Sequence, residues 1–107
     1  MYNRFMKILV LFDLPVVLPS DRKEYAQFRR FLIEDGYAMM QFSVYCRTVR
    51  NHNDAEKHLQ RVKQNLPPEG SVRALLITEK QYENMQILLG EGYANESFLD
   101  STDLLVL

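Results

Sequence analysis

From Phe5 to Phe12 (FMKILVLF) the chain is apolar on both alternating sets, with Phe5, Leu9 and Leu11 on one and Met6, Ile8, Val10 and Phe12 on the other. A strand with that pattern is covered on both faces. Asp13-Leu14-Pro15 ends it, because Pro15 has no N–H and disfavours helix at Leu14. After Pro19 the spacing predicts a helix with Ser20 or Asp21 as N-cap and Glu24 three residues beyond Asp21. Tyr25, Phe28 and Leu32 share one side of it, with Ala26 and Ile33 at the margin, while Lys23, Gln27, Arg30 and Glu34 face away. Arg29 falls inside the apolar arc, where a guanidinium needs a carboxylate or backbone partner. Asp35-Gly36 supplies the stop.

Tyr37 to Arg47 alternates over its whole length and predicts a strand. Ala38, Met40, Phe42, Val44 and Cys46 form an apolar face; Tyr37, Met39, Gln41, Ser43, Tyr45 and Arg47 form a mixed one. Residues 51 to 54 cap a second helix, in which Ala55, Leu59, Val62 and Leu66 recur at helical spacing and Lys57, Arg61 and Lys63 occupy the other sides. Pro67-Pro68-Glu69-Gly70 forces a turn into a third strand, Ser71 to Thr78. Residues 79 to 84 read as a turn or a short helical stretch, and Met85 to Gly90 as a fourth strand. The tail is acidic and then abruptly apolar at Leu104, Leu105, Val106 and Leu107, a tip suited to adding as an edge strand to this sheet or to a partner's.

Read directly, the order is β-α-β-α-β-β with a tail strand, and it becomes β-α-β-β-α-β only if residues 79 to 84 count as helical. A ferredoxin-like α+β sandwich fits best: two helices on one face of a four-stranded antiparallel sheet, the second strand open to a break around Met39-Met40. Residues 1 to 90 form that domain and residues 91 to 107 a partner-docking tail with a short strand. Because the first strand is apolar on both faces, the uncovered sheet face calls for a second copy, giving a homodimer joined through sheet faces.

Composition changes this picture in three ways. The 107 residues carry a net charge of -1, which excludes a polybasic tail. That near-neutral total nevertheless hides an asymmetry: residues 1 to 66 hold eleven Lys and Arg against seven acids, whereas residues 67 to 107 hold only Arg73 and Lys80 against seven. One lone cysteine, Cys46, excludes an intrachain disulfide. With no signal-peptide pattern and no apolar run long enough to span a membrane, a reduced, cytoplasmic protein is expected.

Asp13 stands at the end of the central strand, on the parity of Leu9 and Leu11 and therefore on the face assigned to the dimer contact. Two Asp13 carboxylates near a twofold axis would share a proton or hold a hard divalent cation through oxygen; the alternative is that Asp13 caps a turn. Ser43 has no base near it in sequence, Cys46 lies on an apolar face, and His52 and His58 do not share a helix face, so these read as structural. The basic residues Arg22, Lys23, Arg30, Arg47, Arg50, Lys57, Arg61 and Lys63 would line a platform for duplex phosphates, or else form ordinary solvated helix faces. A small-molecule-sensing regulator of the same fold is a third, weaker reading.

With these residues assembled, the chain resembles the CRISPR-associated protein two family, the small partner of the spacer-acquisition integrase. The resemblance rests on KILVLFDLP (7 to 15), RKEYAQFRRFLIEDGY (22 to 37), QFSVYCR (41 to 47) and LPPEGSVRALLITEKQYENMQILLG (66 to 90), the last similar to members from type II systems. It implies a homodimer seated between two integrase dimers in a heterohexamer, holding double-stranded spacer-precursor DNA for insertion into the repeat array. It also implies that Asp13, matching the family's strand-end aspartate, binds Mg²⁺ or Mn²⁺ at the dimer axis in members described as metal-dependent endonucleases acting on RNA or DNA. Phe12 stands where many members have Tyr, and Cys46 where an acid is common. One carboxylate per chain with no evident general base makes hydrolysis a thin mechanism.

Overall fold

The computed structural model describes residues 5 to 90. The element order is β1 (Met6–Asp13), α1 (Pro19–Glu34), β2 (Ala38–Gln41), β3 (Val44–Val49), α2 (His52–Gln64), β4 (Ser71–Thr78) and the five-residue α3 (Glu79–Glu83). The four strands form one antiparallel sheet in the order β2-β3-β1-β4, the ferredoxin-like arrangement. The tail assigned to partner docking, including Leu104 to Leu107, lies outside the described residues.

The β-α-β-β-α-β order comes from a different place than expected. The segment 37 to 47 is a hairpin, β2 and β3 joined through Phe42 and Ser43, and the break falls there rather than at Met39-Met40. Ser43 takes the left-handed conformation, with φ 64°, that a tight hairpin connection demands. The alternation hid the turn for a geometric reason. The pairs Ala38–Cys46 and Met39–Tyr45 each join residues of equal parity, and the one-residue slip at Gln41–Val44 is confined to the turn, so the same alternating sets continue on its far side.

The mixed set, rather than the more uniformly apolar one, faces the helices. Tyr45 and Val49 lie in register with Val10 and Met6, and with Tyr37 they pack into the core beneath the helices. The more uniformly apolar set, with Phe42 exposed at the turn, looks the other way. Two phenol rings carry enough apolar area to serve as core despite their hydroxyls. Burial pushes the Tyr37 hydroxyl up to about 12, helped by the Asp35 charge, while Arg47 pulls against it. Tyr45 is likewise raised by burial, with the Arg29 guanidinium opposing. Arg29, expected to need a carboxylate or backbone group, thus meets a phenol hydroxyl inside the apolar arc.

Beneath the helices Ile8, Val10 and Phe12 meet Phe28 and Leu32 of α1 and Ala55 and Val62 of α2. Phe12 is the hub, its ring edge-on to Phe28 at 5.2 Å and stacked with Tyr45 at 5.6 Å. The α1 start sits earlier than the spacing implied: Pro19 occupies the first turn and Leu18 the cap position, while Asp21 accepts the Leu18 N–H at 3.1 Å. Met85 to Gly90 forms no strand, and Ile87, Leu88 and Leu89 are exposed. A hydrophobic run alone did not distinguish a strand from an apolar segment that joins no strand among the described residues.

The opposite sheet face is uncovered over much of its length. Leu11 and Leu75 are 38% and 55% exposed there, while Lys7 at the β1 start is tied to Glu79 of α3 at 3.2 Å and to Thr48 at 2.7 Å. Among the described residues no helix is long and apolar enough to cross a membrane.

Candidate functional site

Two groups of candidate residues lie at opposite ends of β1. Asp13 closes the strand opposite Ser71, and Met6 opens it opposite Val49, just before Arg50. Seven strand steps separate the ends by about 23 Å.

Asp13 is exposed and on the uncovered face with Leu9 and Leu11, as its parity required. Its backbone is held by a residue that spacing arguments passed over. Gly70, with φ 107°, lies so close that a Cβ there would meet the Asp13 carbonyl oxygen at 2.8 Å and the Leu14 side chain at 2.7 Å. Only glycine combines that conformation with that approach. The Pro-Pro-Glu-Gly turn was the available signal, though it pointed to a turn and not to Asp13. Arg22 fixes the adjoining loop by donating from Nη1 to the carbonyls of Val16 and Val17 at 3.2 and 2.9 Å.

The donors at Asp13 do not make a metal site within one chain. Among the described residues no group of three or more His, Cys, Asp or Glu side chains is placed to hold a metal ion. Mg²⁺ prefers six oxygens and keeps several waters when bound through one or two carboxylates, so one chain's Asp13 would supply a single such ligand and a second copy's Asp13 another.

The other end is built differently. Asn51 caps α2 by accepting the Asp54 N–H at 2.8 Å, and Asp54 returns to accept the Arg50 N–H at 3.0 Å. His58, one turn along, is 3% exposed; its Nδ1 lies 2.9 Å from an Asp35 carboxylate oxygen and its Nε2 lies 3.5 Å from Asp54. Arg61 donates to the second Asp35 oxygen at 2.8 Å. Arg50 Nε and Lys57 Nζ each approach Asp54 at 3.5 Å. Arg47 donates from Nη1 to the Asp35 carbonyl at the end of α1.

These contacts set the acidities. The Arg50 backbone N–H holds the Asp54 carboxyl down to about 2, outweighing burial, with the Arg50 and His58 charges adding to it. Burial would raise Asp35, but hydrogen bonds from His58 and Arg61 bring it below the usual carboxylate range. The burial of His58 between Asp35, just after α1, and Asp54 of α2 was not visible in the spacing. Cys46 is buried in the sheet.

The eight basic candidates do not form one cluster. Arg47, Arg50, Lys57 and Arg61 line a single groove with Asp35, Asp54 and His58. Arg22 and Lys23 lie on the first turns of α1, at the other end, while Arg30 and Lys63 occupy later positions of the two helices. Cations are thus spread along both helices, and Arg47 is largely committed to the fold.

A ferredoxin-like α+β domain with an exposed strand-end aspartate and basic helices is the class this architecture defines. The family model described as CRISPR associated protein Cas2 matches residues 6–85, and the chain belongs to that family. It is 56% identical over 85 residues to the CRISPR-associated endoribonuclease Cas2 of Acidovorax ebreus, covering 79% of this chain and 83% of the relative. The proteins of the same name from Campylobacter jejuni and Treponema denticola are 43% and 41% identical, spanning 95% and 94% of this chain and 71% and 98% of their own lengths.

Proposed function

We propose that this protein acts in CRISPR adaptation as a homodimeric bridge between integrase dimers, binding duplex spacer-precursor DNA and supporting its integration into the array. The observation that carries the reading is the apolar sheet face opposite α1 and α2: α3 reaches only its Lys7 end, and Leu11 and Leu75 remain exposed beside the buried Leu9. Burying that face against a second copy is favourable at roughly 25 cal/mol per Å² of apolar area, and the twofold axis doubles the cations of α1 and α2 into one platform for phosphates. The acidic, apolar-tipped tail is the part proposed to recruit the integrase. Sedimentation should show a dimer for the wild type and a monomer for Leu75→Glu, and duplex binding should fall steeply with salt. A wild-type monomer at micromolar concentration would overturn the reading.

A second reading, a metal-dependent endonuclease, is favoured by the relatives' name and by the exposure of Asp13. In it two Asp13 carboxylates hold Mg²⁺ or Mn²⁺, which would supply a polarised phosphoryl oxygen and an activated water. This chain's own part is limited to orienting that carboxylate through Gly70 and the Ser71 pairing. If Asp13→Ala cleaves RNA or duplex as fast as the wild type in a magnesium titration, Asp13 is not the seat of the activity.

A further inference from the structure

We infer that the groove between the end of α1 and the first turns of α2 is a phosphodiester-binding seat, in which Arg50, Lys57 and Arg61 contact phosphate oxygens and the buried Asp54 and Asp35 are positioning residues that hold those cations in place. The inference rests on the duplex-binding reading and names where on the chain the phosphates are held.

The groove has a layered charge distribution. Asp54 and Asp35 lie at its floor with side chains 6% and 8% exposed, bridged by His58, whereas the cations above them are about half exposed or more, Arg50 reaching 71%. Arg61 is hydrogen-bonded to Asp35 along one edge, and the more exposed Arg50 stands at ion-pair distance from Asp54. Arg61 spends Nη1 on Asp35, leaving its other guanidinium nitrogens for a ligand, and Arg50 approaches Asp54 through Nε, leaving both Nη groups outward. A guanidinium fixed on one side loses less side-chain freedom when its remaining fork closes on a phosphate, which is the preorganisation that makes a bidentate contact selective. Lys57, also anchored on Asp54, adds a point charge one turn from Arg61. The groove encloses about 450 Å³ and is open to solvent on one side, ample for one backbone phosphate with its flanking sugars. Glu34 on the rim opposes the ligand, and the four cations outnumber the three carboxylates.

The arrangement makes a prediction that net charge alone reverses. Asp54→Asn raises the net charge by one and should strengthen polyanion binding if long-range attraction governs. If Asp54 positions Arg50 and Lys57, the same change weakens binding because both cations lose their anchor. Glu34→Gln, which removes a rim charge that anchors nothing, should strengthen it.

The test is fluorescence anisotropy of the full-length protein with a labelled DNA duplex across a salt series, with circular dichroism confirming the fold of each variant. Arg50→Ala, Lys57→Ala and Arg61→Ala should each lower the slope of log K against log salt by about 0.9, the signature of one lost phosphate contact, and weaken binding about 5- to 10-fold near physiological salt. Asp54→Asn and Asp35→Asn should weaken it several-fold, and Lys80→Ala on α3 should leave slope and affinity unchanged. Should either aspartate variant fail to fold, the three exposed-cation variants still decide the matter. Wild-type binding left unaltered by all three overturns this inference while leaving the bridge reading intact. A wild type that binds no duplex at any salt overturns the bridge reading and this inference with it.

Discussion

The two ends of β1 use the same residue type in opposite ways. At the Met6 end, Asp54 and Asp35 are buried, each accepts from named partners, and both have pKa values held below the ordinary carboxylate range. At the other end Asp13 is exposed on a face that the domain leaves open, and what is fixed is its backbone, by Gly70. A carboxylate built into hydrogen bonds from several sides specifies structure, since removing it strands its partners. A carboxylate whose main chain is fixed and whose oxygens face outward is free to act on something outside the chain.

The largest expected effect follows from that contrast. Asp54→Ala removes the acceptor of the Arg50 N–H and leaves His58 and Lys57 without it, and should lower stability by about 3 kcal/mol in urea unfolding. A loss under about 1 kcal/mol would mean the network is surface decoration. Next is its acid limb. Asp54 has a folded pKa near 2, below its unfolded value of 3.8, so its contribution is complete above pH 4 and is lost as pH falls through 2. It amounts to about 2 kcal/mol at most, and Asp54→Asn should flatten the stability profile between pH 4 and 2 by that amount. Gly70→Ala should cost about 1 to 2 kcal/mol, from its positive φ and the Cβ pressed on the Asp13 carbonyl, and should shift the backbone amide resonances of Asp13 and Leu14. Asp13→Ala should change stability least, within about 0.5 kcal/mol, because the side chain is exposed at a strand end.

Much of this division was legible in the sequence, for reasons that differ by element. The double-sided apolarity of β1 announced both the helix layer and the open face, since a strand's period reports burial on each side directly. The α2 cap and the turn at Gly70 were visible because capping and turn residues act locally. The hairpin was not, because equal-parity pairing carries the alternation through the turn; the alternation grouped Tyr37 with Tyr45 but did not say that their face meets the helices. The expected strand at Met85 to Gly90 failed because an apolar run reports hydrophobicity and not a partner. Asp13 could be placed by parity alone. The Asp35–His58–Asp54 network could not, since Asp35 follows α1 while Asp54 and His58 lie on α2, and only tertiary packing brings Asp35 to His58.

In the proposed bridge, Asp13 is not required for integration. The direct measurement is spacer integration into a repeat array by the integrase with wild-type protein and with Asp13→Ala, the variant being confirmed dimeric. Integration retained near the wild-type level is the predicted result, and integration abolished while the dimer and duplex binding persist would contradict the bridge and make Asp13 a catalytic residue.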